Sequence, residues 1–319
     1  MLKSVLTEYG LPWVVNRTLY ALKLKTLNIF PRTEKLYEKP VTIKRINIFD
    51  LNIEAIENFL YELPNHKQDE IISIADKAIE GKIKAFSSVE LDYGQPINWH
   101  YHPITRVKVD KNLKWFQIPD FDPVRGDIKV IWEASRFTHF YYFVRAYLLT
   151  KNKKYYNAFS NQLDSWIREN IYSYGPNYKC GQEATLRMIN AIITYSAFKE
   201  CNLVNEKDRV NLFKLVEGSY KKVLSNFFYA HKCIKNNHTL SEITGLIIGA
   251  WCSENQIELK KSYKLLNKEI DNQFTTDGGY IQNSFNYQRL ALQLMEFVLK
   301  ISEKTMYHIS DTNKEKILK

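Results

Sequence analysis

Hydrophobic positions recur at helical spacing over most of this chain, and the stretches where they stop doing so divide it. From Ile128 onward one helical pattern follows another. Ile131 to Leu149 carries Trp132, Phe137, Phe140, Tyr141, Phe143 and Tyr147. Tyr155 to Ile171 sets Tyr156, Phe159, Leu163 and Trp166 at the steps of an α-helix. Gln182 to Phe198 places Leu186, Ile189 and Ile193 on one stripe, and Lys207 to Phe228 does the same with Leu212, Val216, Tyr220, Val223 and Phe227. Leu240 to Trp251, Glu258 to Phe274 and Ser284 to Ile301 complete the series. Apolar arcs this wide, on segments joined by short loops, must be covered by other helices. The predicted class is mainly α, an incomplete ring or arc of helical hairpins. No internal repeat argues for a solenoid.

The first part of the chain is less regular. Residues 1–40 read as a helical arm ending at Pro31 and Pro40, with Tyr9 to Leu27 an amphipathic helix facing solvent or a partner rather than a membrane. Val41 to Phe49 alternates enough to predict a short strand. Ile53 to Leu60 predicts a short helix, and His66 to Glu80 a longer one with Ile71, Ile74, Ala75 and Ala78 on one face and Gly81 past its end. From Phe86 to Asp127 periodicity fades among Pro96, Pro103, Pro119, Pro123, Trp99 and Trp115. Such a segment lines a site or wraps the core.

Composition changes this picture little. At 319 residues the chain has ample core for one large domain or two ordinary ones. Its 21 Tyr and 6 Trp suit a helical core or a groove that stacks on sugar rings. The net charge of +10 favours polyanions, but the basic residues are spread, and no nucleic-acid-binding motif accompanies them. Cys180, Cys201, Cys233 and Cys252 have no metal-ligand spacing, so neither a metal nor a cofactor is expected. Within Met1 to Phe30, Lys3, Glu8, Arg17, Lys23 and Lys25 interrupt any signal-peptide core, which predicts a cytoplasmic setting. No apolar run is long enough to span a membrane.

Two stretches stand out chemically. Lys235-Asn236-Asn237-His238 precedes a helical pattern, where an Asn is a common N-cap. Some forty residues on come Asp277-Gly278-Gly279-Tyr280 and Asn286-Tyr287-Gln288-Arg289. Together they offer an amide, an imidazole, a phenol and a guanidinium, a set suited to removing a proton next to a carboxylate.

Further segments complete a pattern. They are Gly126-Asp127-Ile128-Lys129 leading to Trp132-Glu133-Ala134-Ser135-Arg136-Phe137, then Trp166, Gly175-Pro176-Asn177-Tyr178, and Gln182-Glu183-Ala184-Thr185-Leu186-Arg187 with Asn190. With Asn236-Asn237-His238 and Asp277-Gly278-Gly279 to Asn286-Tyr287, the order resembles the N-terminal helical domain of the heparinase II/III-like polysaccharide lyases, from about Asp92 to about Ile301.

The resemblance implies an (α/α) toroid over 91–319, after an arm and connecting region over 1–90, and a groove for an anionic, uronate-containing glycan. It implies β-elimination, with Asn237 and His238 neutralising the substrate carboxylate and Tyr287 as acid or base. Two departures bear on turnover. The family's C-terminal β-sandwich has not begun by Lys319, so the toroid is expected to be truncated, and Gln288 stands where His is common. Related lyases often act in the periplasm, which sets that compartment beside the cytoplasmic reading.

Each residue also has a plainer reading. Asn236 suits a cap, and Asn237 suits a cap or a substrate contact equally. A phenol ordinarily ionises near pH ~10, so Tyr287 needs a nearby cation to act as base. Arg289 lies two residues on, off its helical face, which leaves Arg187 or Arg136 to supply that charge. Glu183 and Arg187, at i and i+4, are a surface ion pair or a groove-facing pair. Glu133 and Arg136 are assigned to the groove, Trp132 to the core, and Trp99 to sugar stacking or packing. Gly278-Gly279 reads as a tight turn. Two competing functions remain: a non-catalytic or vestigial glycan-binding toroid, and a hydrolase drawing two carboxylates from Glu133, Glu183, Glu242 and Asp277. The glycan and the oligomeric state are left open.

Overall fold

The computed structural model describes Thr7 and residues 9–319; Lys3 and Glu8 of the N-terminal reading lie outside the described residues. Among these there are twelve α-helices, and the only strands are three two-stranded ribbons. The mainly α class read from the hydrophobic pattern is therefore what the chain adopts. The fold divides into two compact units. One comprises residues up to Arg45 with Cys180–Thr185 and Ser219–Lys319, and the other comprises Ile46–Lys179 with Leu186–Gly218.

In the second unit, α2 (Ile53–Glu62) starts at Asn52, whose side chain accepts from the Ala55 N–H at 2.9 Å. It is followed by α3 (Asn65–Ile79), α4 (Lys129–Ser135), α5 (Phe140–Thr150) and α6 (Lys154–Glu169). The single helix expected over Ile131 to Leu149 is thus two. Phe137 breaks it, with φ at 63°, and its ring stacks on Phe140 with centroids 4.4 Å apart. A bulky residue in the left-handed region is strained, so burial of this ring offsets a real backbone cost. Phe143, Phe159, Phe198 and Trp166 extend the same aromatic core.

The Pro-rich segment is an ordered wrap. With the residues just before it, it forms β1 (Lys82–Ala85) against β2 (Val89–Asp92), β3 (Tyr101–His102) against β4 (Val107–Lys108), and β5 (Phe121–Asp122) against β6 (Gly126–Asp127), all antiparallel. Trp99, Trp115, His100 and His102 are buried beneath it. The strand expected over Val41 to Phe49 does not form. Instead the N–H groups of Lys44 and Arg45 both reach the Cys252 carbonyl, at 2.8 and 3.1 Å, so two of the segment's backbone donors go to a helix end.

Helices α7 (Gly181–Glu200) and α8 (Glu206–Tyr229) each contribute to both units. The first unit also contains α1 (Leu11–Ile29), α9 (Asn237–Cys252), α10 (Gln256–Gln273), α11 (Phe285–Ser302) and α12 (Asp311–Leu318). Its centre is α9, buried along almost its whole length and packed on α10 and α11. Gly245 and Gly249 permit that burial. A Cβ on Gly245 would lie 2.3 Å from the Thr185 hydroxyl, and one on Gly249 would lie 2.1 Å from the Tyr220 ring. No described helix is long and apolar enough to cross a membrane.

Candidate active site

The head of α9 gathers most of the polar chemistry. After α8 the chain widens into one turn of π-helix over Ala230–Ile234, and Lys235 enters the left-handed region with φ at 54°. Asn236 then takes an extended conformation, and its Oδ1 accepts from the His238 N–H at 3.0 Å. Asn236 is thus the helix cap. That frees the next two side chains to point elsewhere.

Asn237 is 3% exposed. Its Nδ2 donates to Gln182 Oε1 at 2.8 Å, and its backbone N–H donates to Gln282 Oε1 at 3.0 Å. Ser241 Oγ stands 3.1 Å from the same Gln182 oxygen and 2.8 Å from the Asn237 carbonyl. The side-chain amide is therefore held by Gln182 of α7, and the backbone N–H by Gln282 in the loop before α11. A buried polar group held this way is costly to misplace.

His238 is half-buried, with Nδ1 3.8 Å from Cys180 Sγ. Burial, with Glu183 and Glu242 nearby, pushes the Cys180 thiol up to about 12, so it stays protonated and is no nucleophile. One turn past His238, Glu242 is 1% exposed. Burial pushes its carboxyl up to about 8, against the pull of Lys222 and Asn226. It fits because residue 181 is glycine: a Cβ there would meet the Glu242 carboxyl at 2.4 Å.

Tyr287 lies in the first turn of α11, 44% exposed, and its hydroxyl takes no hydrogen bond among the described residues. The loop before it is braced. Gly278, with φ at 86°, donates its N–H to the Thr275 carbonyl at 3.1 Å, and Thr275 N–H reaches the Gly279 carbonyl at 2.9 Å. This is the tight turn expected of the Gly pair. Gln288 Nε2 holds the Gly278 carbonyl at 3.2 Å, so the residue where His is common braces the turn. Arg289 is exposed and touches Asn286 Oδ1 at 3.3 Å. Gln282, in the same loop, links this region to the head of α9 through Asn237.

The remaining expected site residues belong to other surroundings. Glu183 is 2% exposed beside Cys180. In the second unit, Glu133 pairs with Arg136 one turn on, and Glu133 Oε2 accepts from the Phe86 N–H at 2.8 Å. Arg187 is fully buried. Its Nε donates to the Ser135 carbonyl at 2.8 Å, one Nη donates to the Asn177 carbonyl at 2.9 Å, and the guanidinium sits 4.6 Å over the Trp166 ring. Trp99 is 1% exposed, packed edge-on to Phe137, with Nε1 bonded to Ser165 Oγ at 3.1 Å. Arg187 and Trp99 thus brace the unit from inside. Among the described residues no cluster of His, Cys, Asp or Glu could hold a metal ion.

Gln182, Ser241 and Gln282 were not singled out from the sequence as site residues. One signal was present: Asn237 and Ser241, like His238 and Glu242, are four apart and share a helix face.

The profile of the heparinase II/III N-terminus matches residues 43–310. The chain belongs to the heparinase II/III family. Solved structures agree with that family fold. The heparinase III BT4657 gene product, with methylated lysines, superposes with a TM-score of 0.58 at 18% identity, over 93% of this chain and 45% of that one. A heparan sulfate lyase HepC mutant from Pedobacter heparinus gives 0.55 at 16% identity, over 99% of this chain and 44% of that one. This heparinase-family chain therefore spans less than half the length of those chains. A search of curated proteins finds no match.

Proposed function

We propose that this heparinase-family domain holds an anionic, uronate-containing glycan for β-elimination. The carrying observation is the head of α9. There Asn237, locked by Gln182, and His238 sit side by side, and Gln282 ties them to the loop that leads into Tyr287.

A proton at C5 of a uronate becomes removable when charge growing on the adjacent carboxylate meets fixed donors. An amide has two N–H groups, and Asn237 commits only one to Gln182. The other, with the His238 imidazole, serves the carboxylate. Tyr287, in the first turn of α11, takes the C5 proton. The electron pair forms the C4–C5 double bond, the C4–O bond breaks, and the leaving sugar oxygen takes the proton back from the phenol. Arg289 lies on the exposed surface of the same turn, where it meets the substrate's negative charge. Glu183 orients the head of α7.

The test is turnover. The full-length protein is incubated with heparosan, heparan sulfate, hyaluronan and alginate, and ultraviolet absorbance of the unsaturated uronate is followed. A rise with one of these glycans supports elimination. Cleavage without the unsaturated chromophore would mean hydrolysis and overturn it.

A further inference from the structure

Helix α1 has two apolar faces, and only one of them is used. The inner face packs on its own unit. Trp13 Nε1 donates to the Cys233 carbonyl at 2.8 Å, Tyr20 stacks on Tyr229 at 4.1 Å, Lys23 Nζ reaches the Ser225 carbonyl at 2.9 Å, and Leu27 is fully buried. The opposite face carries Leu11, Val15, Leu19, Leu22 and Ile29, each between 48% and 65% exposed. At 100° per residue these five fall within one narrow stripe along the helix. Phe30 follows at the end of the stripe, 61% exposed, and Leu36 extends it, 81% exposed.

The charge around this stripe is predominantly positive. The helix has no acidic residue. Lys25, Arg32, Lys35 and Lys39 are exposed on it or just after it, while of the two acids from Gly10 to Lys39, Glu34 is buried and Glu38 is half-buried. An aliphatic stripe flanked by bare cations complements a surface that is apolar beneath and anionic above. Tyr9 and Tyr37, exposed near either end, have the amphipathic rings that sit at a headgroup boundary. The helix is not apolar enough to span a bilayer, so it would lie in the interface plane. Because its inner face is already anchored, binding need not fold the helix first.

We propose that α1 docks this protein on an anionic lipid surface through the Leu11, Val15, Leu19, Leu22 and Ile29 stripe. This differs from the solvent or partner face expected from the sequence. It is independent of the lyase reading, since no site residue is on α1.

Vesicle flotation tests it, using the full-length protein with phosphatidylcholine alone and with 3:1 phosphatidylcholine to phosphatidylglycerol. The protein should float with the mixed vesicles, fail to float with phosphatidylcholine alone, and bind less as salt rises. The double variants Leu19→Glu/Leu22→Glu and Lys25→Glu/Lys35→Glu should each weaken binding by about tenfold or more. All four residues are exposed, so helical circular dichroism should match wild type. Absence of binding to the mixed vesicles, or binding that both variants leave unchanged, overturns the proposal. So does self-association in ultracentrifugation that Leu19→Glu/Leu22→Glu abolishes while vesicles are not bound, since the stripe would then face a second copy.

Discussion

The side chain of Asn237 donates to Gln182 Oε1 at 2.8 Å, and this bond fixes which way the amide at the head of α9 presents itself. Both partners are buried, so the bond is made in low dielectric. Replacing Gln182 by Leu removes the acceptor and leaves a buried N–H unpaired. The expected loss is about 1–3 kcal/mol of stability, read in urea unfolding. Elimination should fall by more than the stability loss explains. Gln182→Glu, which keeps an acceptor at the same place, should retain the larger share of both.

Glu242 makes stability depend on pH with an unusual sign. The folded chain keeps this carboxyl protonated up to about 8, while the ordinary value is 4.5. Between the two the folded state binds more protons than the unfolded state, so stability is present at low pH and is lost as pH rises through this window. Glu242→Gln, which resembles the protonated acid, should remove that slope. It should stabilise the protein at pH 8 by on the order of 2 kcal/mol relative to wild type and leave pH 5 nearly unchanged. Melting curves across the window check it; a wild-type slope preserved in Glu242→Gln would assign the dependence to other groups.

Gly249 permits α9 to touch Tyr220. A Cβ would meet the ring root at 2.1 Å, where the side chain cannot swing away as a flexible tip could. Gly249→Ala should cost about 1–3 kcal/mol by overpacking. Pairing it with Tyr220→Leu should recover part of the loss, a non-additivity that calorimetry on the four proteins of the cycle would read.

Arg187 presents a fork to two carbonyls and a face to Trp166. Lysine has a single ammonium on a flexible stem and cannot copy that geometry. Arg187→Lys should lower stability by about 2–4 kcal/mol. If Arg187 instead met substrate directly, the variant would lose glycan affinity at unchanged stability.

The helical class and nearly every helix from Ile53 onward could be read from the sequence, because burial of one face imposes a 3.6-residue period on each. The Asn236 cap and the Gly278 turn were readable too, since each is satisfied within a few residues. What escaped is set by distant partners. Phe137 breaks its helix for a ring stack on Phe140. Val41 to Phe49 alternates like a strand, yet the Lys44 and Arg45 donors go to Cys252. Arg187 reads as a surface or groove-facing i,i+4 residue, but its carbonyl acceptors come from Ser135 and Asn177. Two-residue strands such as β3 and β5 are too short to show alternation. At the site, the Asn-His and Asn-Tyr pairs were visible as motifs, while Gln182 and Gln282, which orient them, became visible only through contact.

The most direct measurement is Tyr287→Phe in the full-length protein, with turnover and glycan binding followed separately. Phenylalanine keeps the ring and removes only the phenolic hydroxyl, the group that carries the exchanged proton. The account predicts glycan affinity within about twofold of wild type and a fall in kcat of roughly a thousandfold or more, as for loss of a general acid and base. Turnover that survives Tyr287→Phe at the wild-type rate would contradict it and assign the proton transfer to another group.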